Sequence, residues 1–432
     1  MSSSLNVLQT VFGYPAFRGQ QEAIVAHLVS GKNALVLMPT GGGKSLCYQL
    51  PALLRPGLAL VVSPLIALMQ DQVGALRARG IAAACLNSSL DPAAIQDCMA
   101  ALHCGRLKLL YVSPERLTQP AFLALLETLH REQPLALFAI DEAHCIAEWG
   151  HDFRPEYRQL EILCQRFPEV PRIALTATAD LQTRREIQEQ LHLENCPQFI
   201  SSFDRPNLGY SICAKHHPAA QIAAFLHERH ARHSGIIYCQ SRRQAETTAL
   251  WLQRQGWPGL PYHAGLPMKT RECHQQRFLS EPGLIMVATV AFGMGVDKPD
   301  VRFVIHLECP KNLEGYYQET GRAGRDGLPA EALLLYHGAD LAAQELRLRH
   351  HSRSPERLRV ELQRLQALAR YCQSDGCRRQ ALLDYFGETH EGRCGRCDNC
   401  NPDYRQWSGP PRRHHAITFA ADQFTPGIHR TR

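Results

Sequence analysis

The sequence predicts an α/β protein: two tandem parallel-sheet domains followed by a small helical subdomain that carries four spaced cysteines. Three observations predict it. Short apolar runs alternate with helix-like stretches from 34 to 176; the alternation restarts after a polar segment at 201–207; and it stops near 337, where a helical stripe leads into the cysteines. A chain of 432 residues also exceeds the size at which a single core stops growing. The expected division is 1–203, 204–337, 338–402 and a flexible tail over 403–432.

The first set of runs is ALVLM at 34, LALVV at 58, KLLYV at 108, ALFAI at 136 and RIALT at 172. Each is short, rich in Val, Ile or Leu, and followed by polar or small residues, as where buried parallel strands end in functional loops. SSFDRPN at 201–207 reads as a linker, because its proline disfavours continued helix. GIIYC at 235, LIMVAT at 284, VRFVIHL at 301 and ALLLY at 332 then form a second set. Further on, Ser354 and Pro355 read as an N-cap and first-turn proline. Leu358, Leu362, Leu365, Ala369 and Cys372 follow at helical spacing, which makes them a packing face.

Composition excludes several classes. Hydrophobic residues make up 45% and charged residues 20%, so most of the chain can bury a core, and a net charge of +6 points only weakly to nucleic acid. No apolar run reaches the roughly 18 residues of a membrane span, and MSSSLNVLQT lacks the features of a signal peptide. The expectation is an intracellular protein without membrane contact. Its sixteen cysteines are then reduced thiols or metal ligands, and the twelve scattered ones read as small core residues.

The chemistry begins where ALVLM runs into Pro39-Thr40-Gly41-Gly42-Gly43-Lys44-Ser45. Glycines let backbone N–H groups converge on phosphates, Lys44 can neutralise the β and γ charges, and Ser45 is placed to coordinate Mg2+. Met38 stands where the general pattern has its first glycine. ALFAI ends in Asp141-Glu142-Ala143-His144, two adjacent acids at a strand end. Asp141 can hold magnesium while Glu142 orients or deprotonates the attacking water. Next, Trp149, His151, Phe153, Arg154 and Tyr157 crowd into nine residues, an arrangement able to stack bases and meet phosphates. Near the C-terminus, Cys377, Cys394, Cys397 and Cys400 form C-x16-C-x2-C-x2-C. That spacing suits a closed zinc site, with an iron–sulfur cluster as the alternative and Cys372 and His390 as neighbouring ligand types.

PTGGGKSLCYQLPA, DEAHCIAEWGHDFRPEY, LTATA and QETGRAGRDG together resemble the motifs of superfamily 2 helicases, specifically the RecQ family, over about residues 8 to 402. The resemblance implies two RecA-like domains with ATP between them, 3′-to-5′ polarity on DNA, and zinc on the four cysteines. It implies that Tyr14 and Arg18 hold adenine while Gln21 reads its edge. Arg322 and Arg325 would face the γ-phosphate, with Arg325 as the arginine finger. Gly293, Gly295 and Asp297 would couple nucleotide state to DNA grip. Trp149, His151, Phe153 and Arg154 would sense DNA, and Ser63 and Ser113 would meet its backbone.

The expected function is therefore that of an ATP-dependent DNA helicase or translocase acting on single-stranded and duplex DNA in recombination and repair. The alternative is a DNA-stimulated ATPase with a binding or annealing role and poor strand separation. That alternative arises because no winged-helix or further helical DNA-binding (HRDC) domain is recognisable after the cysteines. An RNA-remodelling motor is the nearer rival, and the aromatic loop and zinc module favour DNA. The cysteine module is expected to fold on its own zinc, with a core separate from the two sheets.

Overall fold

The computed structural model describes residues 4–39, 41–87, 90–147, 153–292, 298–351 and 354–404. Seven parallel strands form the first sheet: β1 (Ala34–Leu37), β2 (Leu58–Val62), β3 (Ala83–Leu86), β4 (Leu109–Val112), β5 (Leu135–Ile140), β6 (Arg172–Thr176) and β7 (Gln198–Ile200). Their order is β3-β4-β2-β5-β6-β1-β7. Six parallel strands form the second: β8 (Leu208–Ala214), β9 (Ser234–Tyr238), β10 (Gly259–Tyr262), β11 (Ile285–Ala288), β12 (Val301–His306) and β13 (Ala330–Tyr336), in the order β10-β11-β9-β12-β13-β8.

Central strands such as β5 and β6 are buried along their whole length, as expected where crossover helices cover both faces. Strands β3, β7, β8 and β10, which the apolar runs did not reveal, are the four edges of the two sheets. An edge strand has one neighbour and less need of a continuous apolar run, and β3 (AACL) and β10 (GLPY) carry small or turn-forming residues instead. The parallel arrangement carries the ends of β1, β5 and β6 to one rim of the first sheet, where the chemistry-bearing residues gather.

Glycine matters inside β9. Gly235 pairs with Phe303 of β12, and the phenyl ring fills the space that a Cβ on Gly235 would need. Phe303 is itself fully buried among Phe225, Ile237 and Leu333.

The C-terminal region holds helices Gly338–His351, Pro355–Gln373 and Arg378–Tyr385. Ser354 caps the second, its hydroxyl accepting from the Arg357 N–H at 3.4 Å. This region is not the independent appendix expected from its cysteines. Strand β8 is a sheet edge whose outward backbone groups need partners, and the cysteine knuckle pairs with it: Tyr210 donates its N–H to Arg396 O at 3.1 Å, and the Asp398 N–H donates to Tyr210 O at 3.0 Å. Asp398 also accepts from the Ile212 N–H and forms a buried ion pair with Arg378 at 2.9 Å. Tyr210, Leu382, Phe386 and Cys397 belong to one continuous core, so the separate-core expectation is corrected.

Among the scattered cysteines, Cys104 and Cys273 are exposed and depart from the core reading, while the others are buried or half-buried. No helix among the described residues is long and apolar enough to cross a membrane.

Gly235→Ala must displace the Phe303 ring or spread two central strands, an overpacking cost of about 1–3 kcal/mol. Urea denaturation of the full chain should show that loss; wild-type stability would mean that the ring has room to move.

Candidate active site and zinc centre

The loop after β1 turns back on itself at two glycines with positive φ, Gly41 (+82°) and Gly43 (+80°), before helix Leu46–Leu54 begins. Gly42 has no room for a side chain, because a Cβ would sit 2.9 Å from Pro39 O. Lys44 is half-buried and donates to Met38 O at 3.2 Å. Burial lowers its pKa; Glu142 and Asp141 pull the other way, and Arg325 adds to the lowering. Ser45 occupies the N-cap position of the following helix without capping it through its side chain.

Gln21 is buried behind this loop. Its Oε1 accepts from the Arg18 N–H at 2.9 Å, and its Nε2 donates to Gly42 O at 3.2 Å. The upstream segment is thereby tied to the phosphate loop through one amide, while Tyr14 and Arg18 remain exposed.

Asp141 lies at the end of β5, its pKa pushed up to about 7 by burial and by Glu142, against the opposing pull of Lys44. Glu142 adopts a left-handed backbone (φ +50°), a strained position for a non-glycine residue. His144 is fully buried, and burial, Lys44 and Arg154 hold it down to about 3, so it is neutral. Its Nδ1 lies 2.9 Å from Thr176 Oγ1 and 3.3 Å from Glu142 Oε2. Thr176 gives its own proton to Thr178 O at 3.0 Å, so it accepts from Nδ1–H, and the same N–H faces Glu142. Gln318, from the second sheet's side, donates to Thr178 Oγ1 at 2.8 Å. A chain of polar contacts thus runs from Glu142 across the cleft.

Helix Leu313–Thr320 leads into the turn bearing Arg322 and Arg325. Arg325 reaches the first domain: a Cβ on Gly41 would stand 3.3 Å from its Cγ. Arg322 is buried, hydrogen-bonds Tyr238, and leaves its Nε without a hydrogen-bond partner. Sequence reading missed the residues that hold this turn. Arg205 donates to the carbonyls of Gly321, Ala323 and Gly324 at 2.9–3.2 Å, and Asn207 to Gly324 O at 2.8 Å. The signal was present: a linker with one arginine and one asparagine, 116 or more residues ahead of carbonyls left open at a helix end.

Other site residues are dispersed. Ser63 is buried, with its hydroxyl unpartnered, and Ser113 is buried and caps helix Pro114–Leu117 by accepting from the Arg116 N–H at 3.4 Å. Both serines are thus found at strand ends, Ser113 as a helix cap. Tyr157 is also core, its hydroxyl donating to Asp141 O at 2.9 Å. Phe153 and Arg154 are half-buried, and Arg154 donates to Pro64 O at 3.2 Å. Thr40, Trp149, His151, Gly293, Gly295 and Asp297 lie outside the described residues, as does the tail from 405 on.

The sulfur atoms of Cys377, Cys394, Cys397 and Cys400 all lie within 4.8 Å of one another. Four soft donors at that separation fit a tetrahedral zinc with Zn–S bonds of about 2.3 Å. Backbone N–H groups of Arg378 and Arg396 point at Cys397 Sγ and Cys394 Sγ, both at 3.4 Å. The Cys394 thiol holds the Cys397 thiol down to about 5, ready to bind as thiolate. Cys372 stands instead beside Cys309.

Two parallel sheets with a phosphate loop and acids on one and a pair of arginines on the other define a helicase-type, two-domain RecA-like protein. Residues 18–187 match the DEAD/DEAH box helicase family, 218–327 the helicase conserved C-terminal domain, and 338–401 the RecQ zinc-binding domain. The chain belongs to the RecQ family. It is 47% identical over 407 residues to the ATP-dependent DNA helicase RecQ of Haemophilus influenzae, covering 94% of this chain and 65% of that protein. It is 42% identical to the ATP-dependent DNA helicase RecQ of Bacillus subtilis, covering 91% of this chain and 66% of that one. The chain thus spans a little under two thirds of the length of these relatives. The Mycobacterium smegmatis helicase Lhr, solved with ssDNA and AMP-PNP, shares the fold at a TM-score of 0.57 and 22% identity, covering 78% of this chain and 48% of that one.

Cys397→Ser should release about one zinc per chain, because a closed structural site needs all four ligands. It should also loosen β8, since Cys397 pairs with Tyr210. Metal analysis and thermal unfolding check both; a variant that keeps its zinc would remove the cluster's structural role.

Proposed function

We propose that this chain is an ATP-dependent DNA helicase or translocase of RecQ type, moving 3′ to 5′ on single-stranded DNA and separating duplexes in recombination and repair. The divisions at 203/204, 337/338 and 402/403 are part of this reading. The observation that carries it is the side chain of Arg325 lying against Gly41 of the phosphate loop, so that catalytic charge is shared between two domains. Similarity to the ATP-dependent DNA helicases RecQ of Haemophilus influenzae and Bacillus subtilis supports it.

In this reading Tyr14, Arg18 and Gln21 hold adenine, and the backbone of Thr40, Gly41, Gly42 and Gly43 wraps the phosphates. Lys44 meets the β and γ oxygens. Ser45 and Asp141 would hold Mg2+, which would supply neutralisation of phosphate charge when bound. Glu142, oriented by neutral His144, takes the proton of the attacking water. Arg322 and Arg325 stabilise the charge of the transferred group, and Gly293 and Asp297 are assigned to nucleotide binding. DNA contact is assigned to Trp149, His151, Phe153 and Arg154, with Ser63 and Ser113 at the DNA backbone.

Lys44→Ala is expected to abolish turnover and weaken ATP binding. Glu142→Gln should lower turnover roughly 100-fold or more while ATP still binds. Phe153→Ala should reduce DNA-stimulated hydrolysis and spare DNA-independent hydrolysis. Unwinding assays with matched 3′- and 5′-tailed DNA and RNA duplexes test the substrate: equal activity on RNA, or preference for a 5′ tail, would defeat the assignment.

A further inference from the structure

One side chain of the C-terminal region reaches carboxylates belonging to both sheets' domains. Arg364, on helix Pro355–Gln373, places Nη2 3.3 Å from Asp180 Oδ2 and Nε 3.2 Å from Glu314 Oε1. Asp180 immediately follows the β6 turn that contains Thr176 and Thr178. Glu314 stands one helical turn before Gln318, the residue that bonds Thr178, and the same helix ends in the turn of Arg322 and Arg325.

The two arms differ in permanence. Glu314 is almost fully buried, and burial raises its pKa against the opposing pull of Arg364 and the Tyr385 hydroxyl, which donates to it at 2.7 Å. Helix Pro355–Gln373 packs on helix Leu313–Thr320, so this arm moves with the second domain. Asp180 keeps a quarter of its side chain exposed. Burial alone would raise its pKa, but the Thr183 N–H and Arg364 outweigh that and hold it below the usual range. This arm crosses between domains and can break and re-form.

The same region holds the chain between the domains. The Glu388 carboxylate accepts from Ser202 Oγ at 2.5 Å and from the Phe203 N–H at 2.6 Å. The Phe386 ring stacks on Phe203 at 4.9 Å, and Phe386 O accepts from Arg184 at 2.9 Å.

We infer that the zinc-binding region sets how the ATP cleft closes, with Arg364 as a positioning residue that aligns the turn of Arg322 and Arg325 by joining Asp180 to Glu314. The inference rests on the ATP-site reading above. A guanidinium serves two carboxylates through separate N–H edges, whereas a lysine ammonium is a single point charge on a stem of different reach.

Two variants of the full chain test it. Asp180→Asn removes the charge Arg364 needs yet keeps an N-cap for helix Leu181–Gln190, since asparagine caps as well as aspartate. Arg364→Lys keeps a charge beside Glu314, which Arg364→Ala would strand. Both should lower kcat for ATP at saturating single-stranded DNA by about 2- to 30-fold, with the affinity for a fluorescent ATP analogue unchanged. Both should also blunt the compaction that a non-hydrolysable ATP analogue produces in small-angle scattering. Wild-type kcat and compaction in both variants would overturn the inference. So would a fall in kcat that comes with loss of zinc or of thermal stability, because Arg364 would then be only structural. Lys44→Ala separates the two readings. If it hydrolyses ATP normally, the ATP-site assignment fails; if it is inactive while Asp180→Asn and Arg364→Lys match wild type, only the positioning role fails.

Discussion

The approach of Arg325 to Gly41 is the contact on which the other features depend. A positive φ and the missing side chain at Gly41 let a guanidinium stem from another domain lie directly on the phosphate loop. That arginine can be placed only if its turn is rigid, and the turn's carbonyls are fixed by Arg205 and Asn207 from the inter-domain segment. The segment is in turn gripped by Phe386 and Glu388. Phosphate loop, the turn of Arg322 and Arg325, linker and C-terminal region are therefore joined by one unbroken series of contacts.

A second path crosses the same cleft by hydrogen bonds. Neutral His144 faces both Glu142 and Thr176, Thr176 orders Thr178, and Thr178 receives Gln318. A charged imidazole would repel Lys44 and Arg154 and upset the orientation of Glu142, so deep burial of His144 serves the site by keeping it neutral. Glu142 of the first domain and Gln318 of the second are thus joined through His144, Thr176 and Thr178.

What the sequence disclosed and what it withheld have physical causes. Strands covered on both faces are continuous runs of bulky apolar residues, so β5, β6, β9 and β12 were legible, whereas at the edges β3 is built mostly of alanine, β7 spans three residues, and β8 and β10 are interrupted by glycine, serine or proline. Glycines, a lysine and paired acids at strand ends announce phosphate chemistry because few other roles need them together. Contacts between residues more than a hundred positions apart leave no local pattern, which hid Arg205, Gln318 and Arg364. Residue type also misleads: Tyr157 belongs to an aromatic cluster by sequence but to the core by burial, and Ser113 is a helix cap before it is anything else.

The four cysteines explain why this last region couples to the rest. A segment of this size has too little apolar surface to hold a fixed shape alone, and metal ligation orders only the knuckle around it. The remaining order has to come from outside, and it does: backbone pairing with edge strand β8, the buried Arg378–Asp398 pair beside it, and packing of Phe386 on the linker. Strand β8 belongs to the second sheet and Phe203 to the segment between the two sheets, so the C-terminal region is ordered by surfaces of both.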